Sequence, residues 1–193
     1  MDDSASYEPE STWDRRRKAP FHFLAKADNA RMSAFVLSHT DDETAIQFAI
    51  ELGYNGSPSI ALYEAFAREA SISIELILKA ILCLTEKKPP PNTHDVYELW
   101  PRAGLPKLSP AFMHNLASIT ETLEWSGRYA APTKDQRLDK SLARMRRHQR
   151  TEELGRFKVI KPTPFGWAEF NSLYQIASTR FWELDPNDPK HYL

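Results

Sequence analysis

The stretch 57–88 constrains the fold more than any other part of the chain. Ser57 and Pro58 suit the first positions of a helix, and apolar residues then recur every three or four positions as far as Leu82. The prolines at 89–91 end this pattern, because proline lacks the amide hydrogen that a continuing helix needs. We therefore predict one long central helix, capped by Ser57.

The rest of the chain is divided by 14 prolines and only six glycines into further stretches with helical periodicity. No run alternates apolar and polar residues as a strand would, so we predict an all-α fold, an antiparallel helical bundle. Residues 1–20 are expected to be a flexible segment, 21–184 the bundle and 185–193 a tail. The other helices are predicted over 22–38, 41–50, 93–100, 108–125, 134–158 and 167–184, with Asp41, Asp95 and Ser109 as caps.

Composition excludes several classes of protein. The net charge is −1, no apolar run is long enough to span a bilayer, and the first residues lack the pattern of a secretory signal, so we expect a cytoplasmic protein without membrane contact. The six glycines form neither a phosphate-binding loop nor a dinucleotide fingerprint. The six histidines lack zinc-site spacing, and the single cysteine, Cys83, is expected to be buried. We therefore predict no metal and no cofactor.

Two charged residues lie within the most apolar helix. Glu75 and Lys79 are four residues apart and can form an ordinary surface ion pair. A charge that faces the core must instead be paired or line a cleft, because burial of an unpaired charge is costly. Both arrangements remain open from the sequence.

Three segments of the chain share features with one family of helical proteins. They are SIELILKAILCLTEKKPPPNTHDVYELW, from Ser73, then TLEWSGRYAAP, which contains Arg128 and Tyr129, and LAKADNARMSAFVL, with Asp28. Together they resemble the HEPN family: the first is similar to its second long helix and the turn after it, the second to the end of a later helix, and the third to its first helix. The resemblance covers about 24–132.

This resemblance implies a bundle of antiparallel helices that is often a homodimer and acts in prokaryotic stress, toxin–antitoxin or phage-defence systems. Many members bind nucleotides or are metal-independent RNases, in which an arginine is followed by a histidine with four to six residues between them. Here Arg17 and His22 have that spacing but lie at the wrong end of the chain, with Pro20 between them. Arg144 and His148 lie in a late helix but are one residue too close.

His94 has two interpretations. It can fix the turn by bonding a carbonyl or a neighbouring carboxylate while Thr93 and Asp95 cap the next helix. It can instead converge with Lys79 and Arg128 on a cleft that holds a phosphate or base, with Tyr129 stacking on the base. A competing structural explanation pairs Arg128 with Glu75.

The predicted helix 134–158 is basic, with nine Lys or Arg against four Asp or Glu. Such a run can bind nucleic acid phosphates or form an ordinary solvated face. The candidate ligand-binding residues are Glu75, Lys79, His94, Arg128, Tyr129, Arg144, Arg147 and His148.

The sequence thus predicts a protein that binds nucleotide or RNA, is a homodimer, and has an antitoxin or another protein as a possible partner. A metal-independent endoribonuclease and a non-catalytic protein-interaction module are the alternatives. No catalytic residue is assigned.

Overall fold

The long central helix forms as predicted, and most other helices pack around it. The computed structural model describes residues 11–126 and 135–185. The fold is all-α apart from one two-stranded sheet. Its elements are α1 (Thr12–Lys18), α2 (Pro20–His39), α3 (Asp42–Leu52), α4 (Pro58–Glu86), α5 (Val96–Arg102), α6 (Pro110–Glu121) with a π-helical extension (Thr122–Ser126), α7 (Asp135–Arg147), β1 (Arg150–Leu154), β2 (Phe157–Lys161) and α8 (Trp167–Leu184).

Helices α2 and α4 run antiparallel and make the largest contact in the fold. The hydroxyl of Ser73 donates to the carbonyl of Ala27 at 2.9 Å. Leu37, near the end of α2, shares a cleft with Leu62, near the start of α4. Small alanines at the buried positions of α2, Ala27, Ala30 and Ala34, allow the two backbones to approach closely.

Helix α8 lies antiparallel to α2 and closes the core. Arg31 of α2 donates to the amide oxygen of Asn171 at 2.7 Å, and Phe21 meets Phe181 edge to face. Three aromatic side chains of α8 are fully buried, namely Phe170, Tyr174 and Phe181. These three aromatics belong to the hydrophobic core, and Cys83 is buried as expected.

Three of the four helix caps predicted from the sequence form the expected side-chain hydrogen bond. Asp41 accepts from the amide of Thr44 at 2.7 Å, Ser109 from that of Phe112 at 3.4 Å, and Asp95 from that of Glu98 at 3.2 Å. The fourth prediction was wrong, because Ser57 makes no capping bond with its side chain. Pro58 still occupies the first turn of α4, where its missing amide hydrogen costs nothing.

The predicted helix 134–158 was too long. Helix α7 ends at Arg147, and an antiparallel hairpin of β1 and β2 follows, joined at Gly155, whose φ of +63° favours glycine. Every residue of both strands is exposed. A strand with two exposed faces has no reason to alternate apolar and polar residues, so the pattern by which strands are recognised is absent.

Within the segment 1–20, which was expected to be flexible, the described part contains a short helix. Residues Thr12–Lys18 form α1, in which the Arg16 guanidinium lies 5.7 Å from the centre of the Trp13 ring. None of the helices in the described ranges is long and apolar enough to cross a membrane.

Candidate nucleic-acid interface

Glu75 and Lys79 form a buried ion pair on α4. The Lys79 ammonium donates to one Glu75 oxygen at 2.6 Å, and the two side chains are only 11% and 8% exposed. The two charges are therefore paired in the interior, and the surface ion pair considered from the sequence is not what forms. Removing either partner would leave the other as an uncompensated buried charge, which is costly.

His94 completes this cluster from the turn before α5. Its Nδ1 lies 3.0 Å and 3.1 Å from the two carboxylate oxygens of Glu75. Because an ionised carboxylate only accepts hydrogen bonds, Nδ1 is the donor. This contact with a neighbouring carboxylate is the one that the structural interpretation of His94 requires. Lys79 and His94 therefore both contact Glu75, whereas their convergence with Arg128 on a ligand cleft stays a prediction.

Asp95 links this turn to α7. Its backbone amide donates to the Thr93 hydroxyl at 3.1 Å, and one of its carboxylate oxygens caps α5. Its other oxygen accepts from Arg144 at 2.8 Å and from Lys140 at 3.3 Å. The Asp95 side chain is 5% exposed, and both of its carboxylate oxygens accept hydrogen bonds from protein donors.

Glu98, one turn further along α5, binds the same two cations. It accepts from Arg144 at 2.7 Å and from Lys140 at 3.2 Å. Acidic residues three apart on α5 therefore face basic residues four apart on α7, and each pair lies on one helical face. The guanidinium of Arg144 is 12% exposed and is engaged by both carboxylates, which leaves it poorly placed to receive a phosphate.

Tyr97 and two histidines extend the cluster towards the end of α7. The Tyr97 hydroxyl lies 2.8 Å from Nε2 of His148, and Arg144 stacks on the Tyr97 ring at 4.8 Å. Burial lowers the pKa of His148, and the charge of Arg147 lowers it further. Burial and the neighbouring His148 likewise lower the pKa of His114. Both imidazoles are therefore neutral at pH 7 and able to accept a proton.

A cationic segment, which we define as residues 146–161, lies beyond this cluster. It contains six Lys or Arg and only two acidic residues. Lys161 pairs with Glu152 at 2.6 Å. Among the residues that the structure describes, the other five cations make no ion pair, and all five side chains are exposed: Arg146, Arg147, Arg150, Arg156 and Lys158. This segment therefore presents positive charge that is available to an external ligand.

Three further pairs of residues were considered from the sequence. Arg128 and Tyr129 lie outside the described residues, so their place in the cleft stays a prediction. Arg17 is in the last turn of α1 and His22 in the first turn of α2, so the pair does not share a helical face. Arg144 and His148 both contact Tyr97, but Arg144 is held by Asp95 and Glu98.

Sequence reasoning missed four members of this cluster: Tyr97, Glu98, His114 and Lys140. The matched spacing of acids on α5 and bases on α7 was the available signal, but nothing in a single sequence says that these helices touch. Within the described ranges, no three His, Cys, Asp or Glu side chains come close enough to hold a metal ion.

Comparison with known proteins gives no relative from which a role could be taken. No protein-family model, no curated protein and no solved structure matches the chain significantly. The resemblance to the HEPN family therefore stays a prediction.

Proposed function

We propose that this protein binds RNA, or a nucleotide carrying several phosphates, through the cationic segment. The observation that carries the proposal is the set of five exposed cations without a carboxylate partner. The chain as a whole has a net charge of −1, so this positive charge is concentrated locally and is not a general property of the surface. Polyphosphate ligands match such a surface, because binding releases the counterions condensed on them.

The neighbouring ion pairs support the same assignment. Lys140 and Arg144 are neutralised by Asp95 and Glu98, and Lys79 is neutralised by Glu75. A phosphate at any of these positions would compete with carboxylates already in hydrogen-bonding contact. The five exposed cations within 146–158 have no carboxylate partner, so no ion pair has to break when a phosphate binds to them.

Fluorescence anisotropy with a labelled unstructured RNA tests the proposal. Replacing Arg146, Arg147 and Arg150 together by alanine should weaken binding by about tenfold or more and reduce the salt slope of the logarithm of affinity by about 2. A control that replaces three exposed cations elsewhere, Lys26, Arg68 and Lys107, should keep the affinity. Equal affinities for the two triple variants would contradict the proposal.

A metal-independent endoribonuclease is the second candidate, and one observation favours it. His148, whose pKa is lowered, contacts the Tyr97 hydroxyl and has Arg144 beside it. This group could take a proton from a ribose hydroxyl, but the carboxylates that hold Arg144 oppose its use for stabilising phosphate charge. We therefore rank binding above cleavage.

Incubation of the protein with structured RNA in EDTA separates the two candidates. Cleavage that ends in a 2′,3′-cyclic phosphate and disappears in an Arg144/His148 double-alanine variant would establish the enzyme. An Arg17/His22 double-alanine variant serves as the control, because those residues lie on different helices. Retention of intact RNA in a gel-shift assay is the result that we expect.

The predicted homodimer is also part of the proposal. Helix α3 exposes four large apolar side chains, Ile46, Phe48, Ile50 and Leu52, by 53%, 53%, 69% and 81%. Ile46 and Ile50, four residues apart, lie on one side of α3, and Phe48 and Leu52 lie on the other. An exposed apolar patch is typical of a protein interface, and we assign the side that carries Ile46 and Ile50 to a second copy of the chain. Light scattering after size exclusion should show a dimer that an Ile46→Glu/Ile50→Glu variant converts to a monomer. A monomeric parent protein would refute this assignment and leave RNA binding unaffected.

A further inference from the structure

The hairpin of β1 and β2 has two different faces. Its register pairs Leu154 with Phe157 and Glu152 with Val159, and directly opposed residues lie on the same side of a sheet. Because side chains alternate along each strand, these two pairs share one face. Leu154, Phe157 and Val159 therefore form one apolar patch at the closed end of the hairpin, which we call the apolar hairpin face.

This face is uncovered. Leu154 is 67% exposed, Phe157 73% and Val159 44%. A two-stranded hairpin is only marginally stable by itself, and an aromatic side chain at its tip contributes little to its folding when it points into water. The exposed Phe157 is therefore better explained by contact with a ligand than by the stability of the hairpin.

The charges around the apolar hairpin face indicate what would cover it. Arg150 and Lys161 are paired on the same face at the open end of the hairpin, where Lys161 also pairs with Glu152. Arg156 precedes Phe157 in the turn at the closed end, whereas Lys158 lies on the other face, opposite Glu153. An aromatic ring with cations close to it is an arrangement by which proteins bind single-stranded nucleic acid, since each base offers a flat face for stacking and each linkage a phosphate. An apolar protein partner would not need Arg150 and Arg156.

We propose that the apolar hairpin face binds the unpaired bases of single-stranded RNA, with Phe157 stacking on one base while neighbouring cations contact the phosphates. This inference rests on the proposed function and specifies its substrate class. In a duplex the base faces are already stacked on one another, so Phe157 has nothing to stack on and only the phosphate contacts remain. The protein should therefore bind single strands more tightly than duplexes.

Phe157→Ala tests the inference, and Ile160→Ala is its matched control. Ile160 lies on the opposite face of the same hairpin and is 55% exposed. Anisotropy is measured with one single-stranded RNA and with a blunt duplex of the same sequence. Phe157→Ala should weaken single-strand binding by about tenfold and leave duplex binding within about twofold. Phe157→Trp should restore single-strand binding, whereas Ile160→Ala should bind both RNAs like the parent protein.

The possible results separate this inference from the proposed function. If Phe157→Ala binds the single strand as the parent does, while the Arg146/Arg147/Arg150 variant loses binding, the inference is wrong and the proposed function stands. An equal loss on both RNAs would also refute base stacking. If the parent protein binds neither RNA, both proposals fail, and an apolar protein partner becomes the better explanation of the face. Circular dichroism of each variant should match the parent, because the exposed hairpin lies outside the helical core.

Discussion

Replacing Lys79 by methionine should lower the free energy of unfolding by about 3 kcal/mol. Methionine keeps an unbranched apolar stem and removes only the ammonium that donates to Glu75 at 2.6 Å. The Glu75 side chain is 8% exposed, so its carboxylate would be left in the interior without its cation. Breaking a buried pair by removing one partner costs about 3 to 5 kcal/mol, and the lower end applies because His94 still contacts both carboxylate oxygens.

Urea denaturation followed by circular dichroism measures this loss. The double variant Glu75→Gln/Lys79→Met removes both charges and should recover a large part of it, with a coupling energy of about 2 kcal/mol in the double-mutant cycle. Lys107→Met, at an exposed position, should change the unfolding free energy by less than about 0.5 kcal/mol. A loss below about 1 kcal/mol for Lys79→Met would refute the reasoning, as would a double variant less stable than either single variant.

Three further predictions concern single groups. His94→Ala should cost about 1 kcal/mol in urea denaturation and leave RNA affinity unchanged, since its contact is with Glu75; a loss of binding at unchanged stability would favour the cleft interpretation. The hydrogen bond from Arg102 holds the pKa of Glu86 at about 2, below the ordinary 4.5. The stability it contributes is thus present above pH 4.5 and lost towards pH 2, so Glu86→Gln should destabilise the protein at pH 6 but not at pH 2. Burial lowers the pKa of His114 from 6.5. The folded state therefore binds the proton less readily than the unfolded state, so the stability present above pH 6.5 is lost as the pH falls. His114→Asn removes this group and should flatten the dependence of the unfolding free energy on pH between pH 7 and 5.

The long helices were predictable because their buried apolar positions recur at helical spacing: α8 buries one face, and the central α4 is buried on all sides over 77–83. The spacing of apolar residues in α4 and α8 records that burial directly, and side chains such as Asp41 and Ser109 mark helix starts through local bonds that need no knowledge of the fold. The hairpin was not predictable in this way. Its strands bury neither face, so only local features remained, such as Gly155 and the β-branched Val159 and Ile160.

The candidate site was predictable only in part, for a different reason. A contact of His94 with a neighbouring carboxylate was one of the stated possibilities, but the sequence did not single out Glu75, which lies well inside α4. The contact of Asp95 with Arg144 joins residues 49 positions apart. Neither residue type nor spacing shows which of the many carboxylates in the chain will meet that arginine, so the ion pairs became visible only with the packing of α7 beside α5.

Those ion pairs also bear on the proposed place of phosphate binding, for which the chain offers two candidates. Thr93, His94 and Asp95 are consecutive, and their contacts join α4, α5 and α7. A phosphate that used Lys79 would have to displace a carboxylate at 2.6 Å and leave that carboxylate buried without its cation, at a cost similar to the loss predicted for Lys79→Met. A phosphate at Arg146 or Arg147 displaces only water. The polar residues of α4, of the turn before α5 and of α5 therefore serve as internal contacts, and the proposed ligand binding is assigned to the cationic segment, which begins in the last turn of α7.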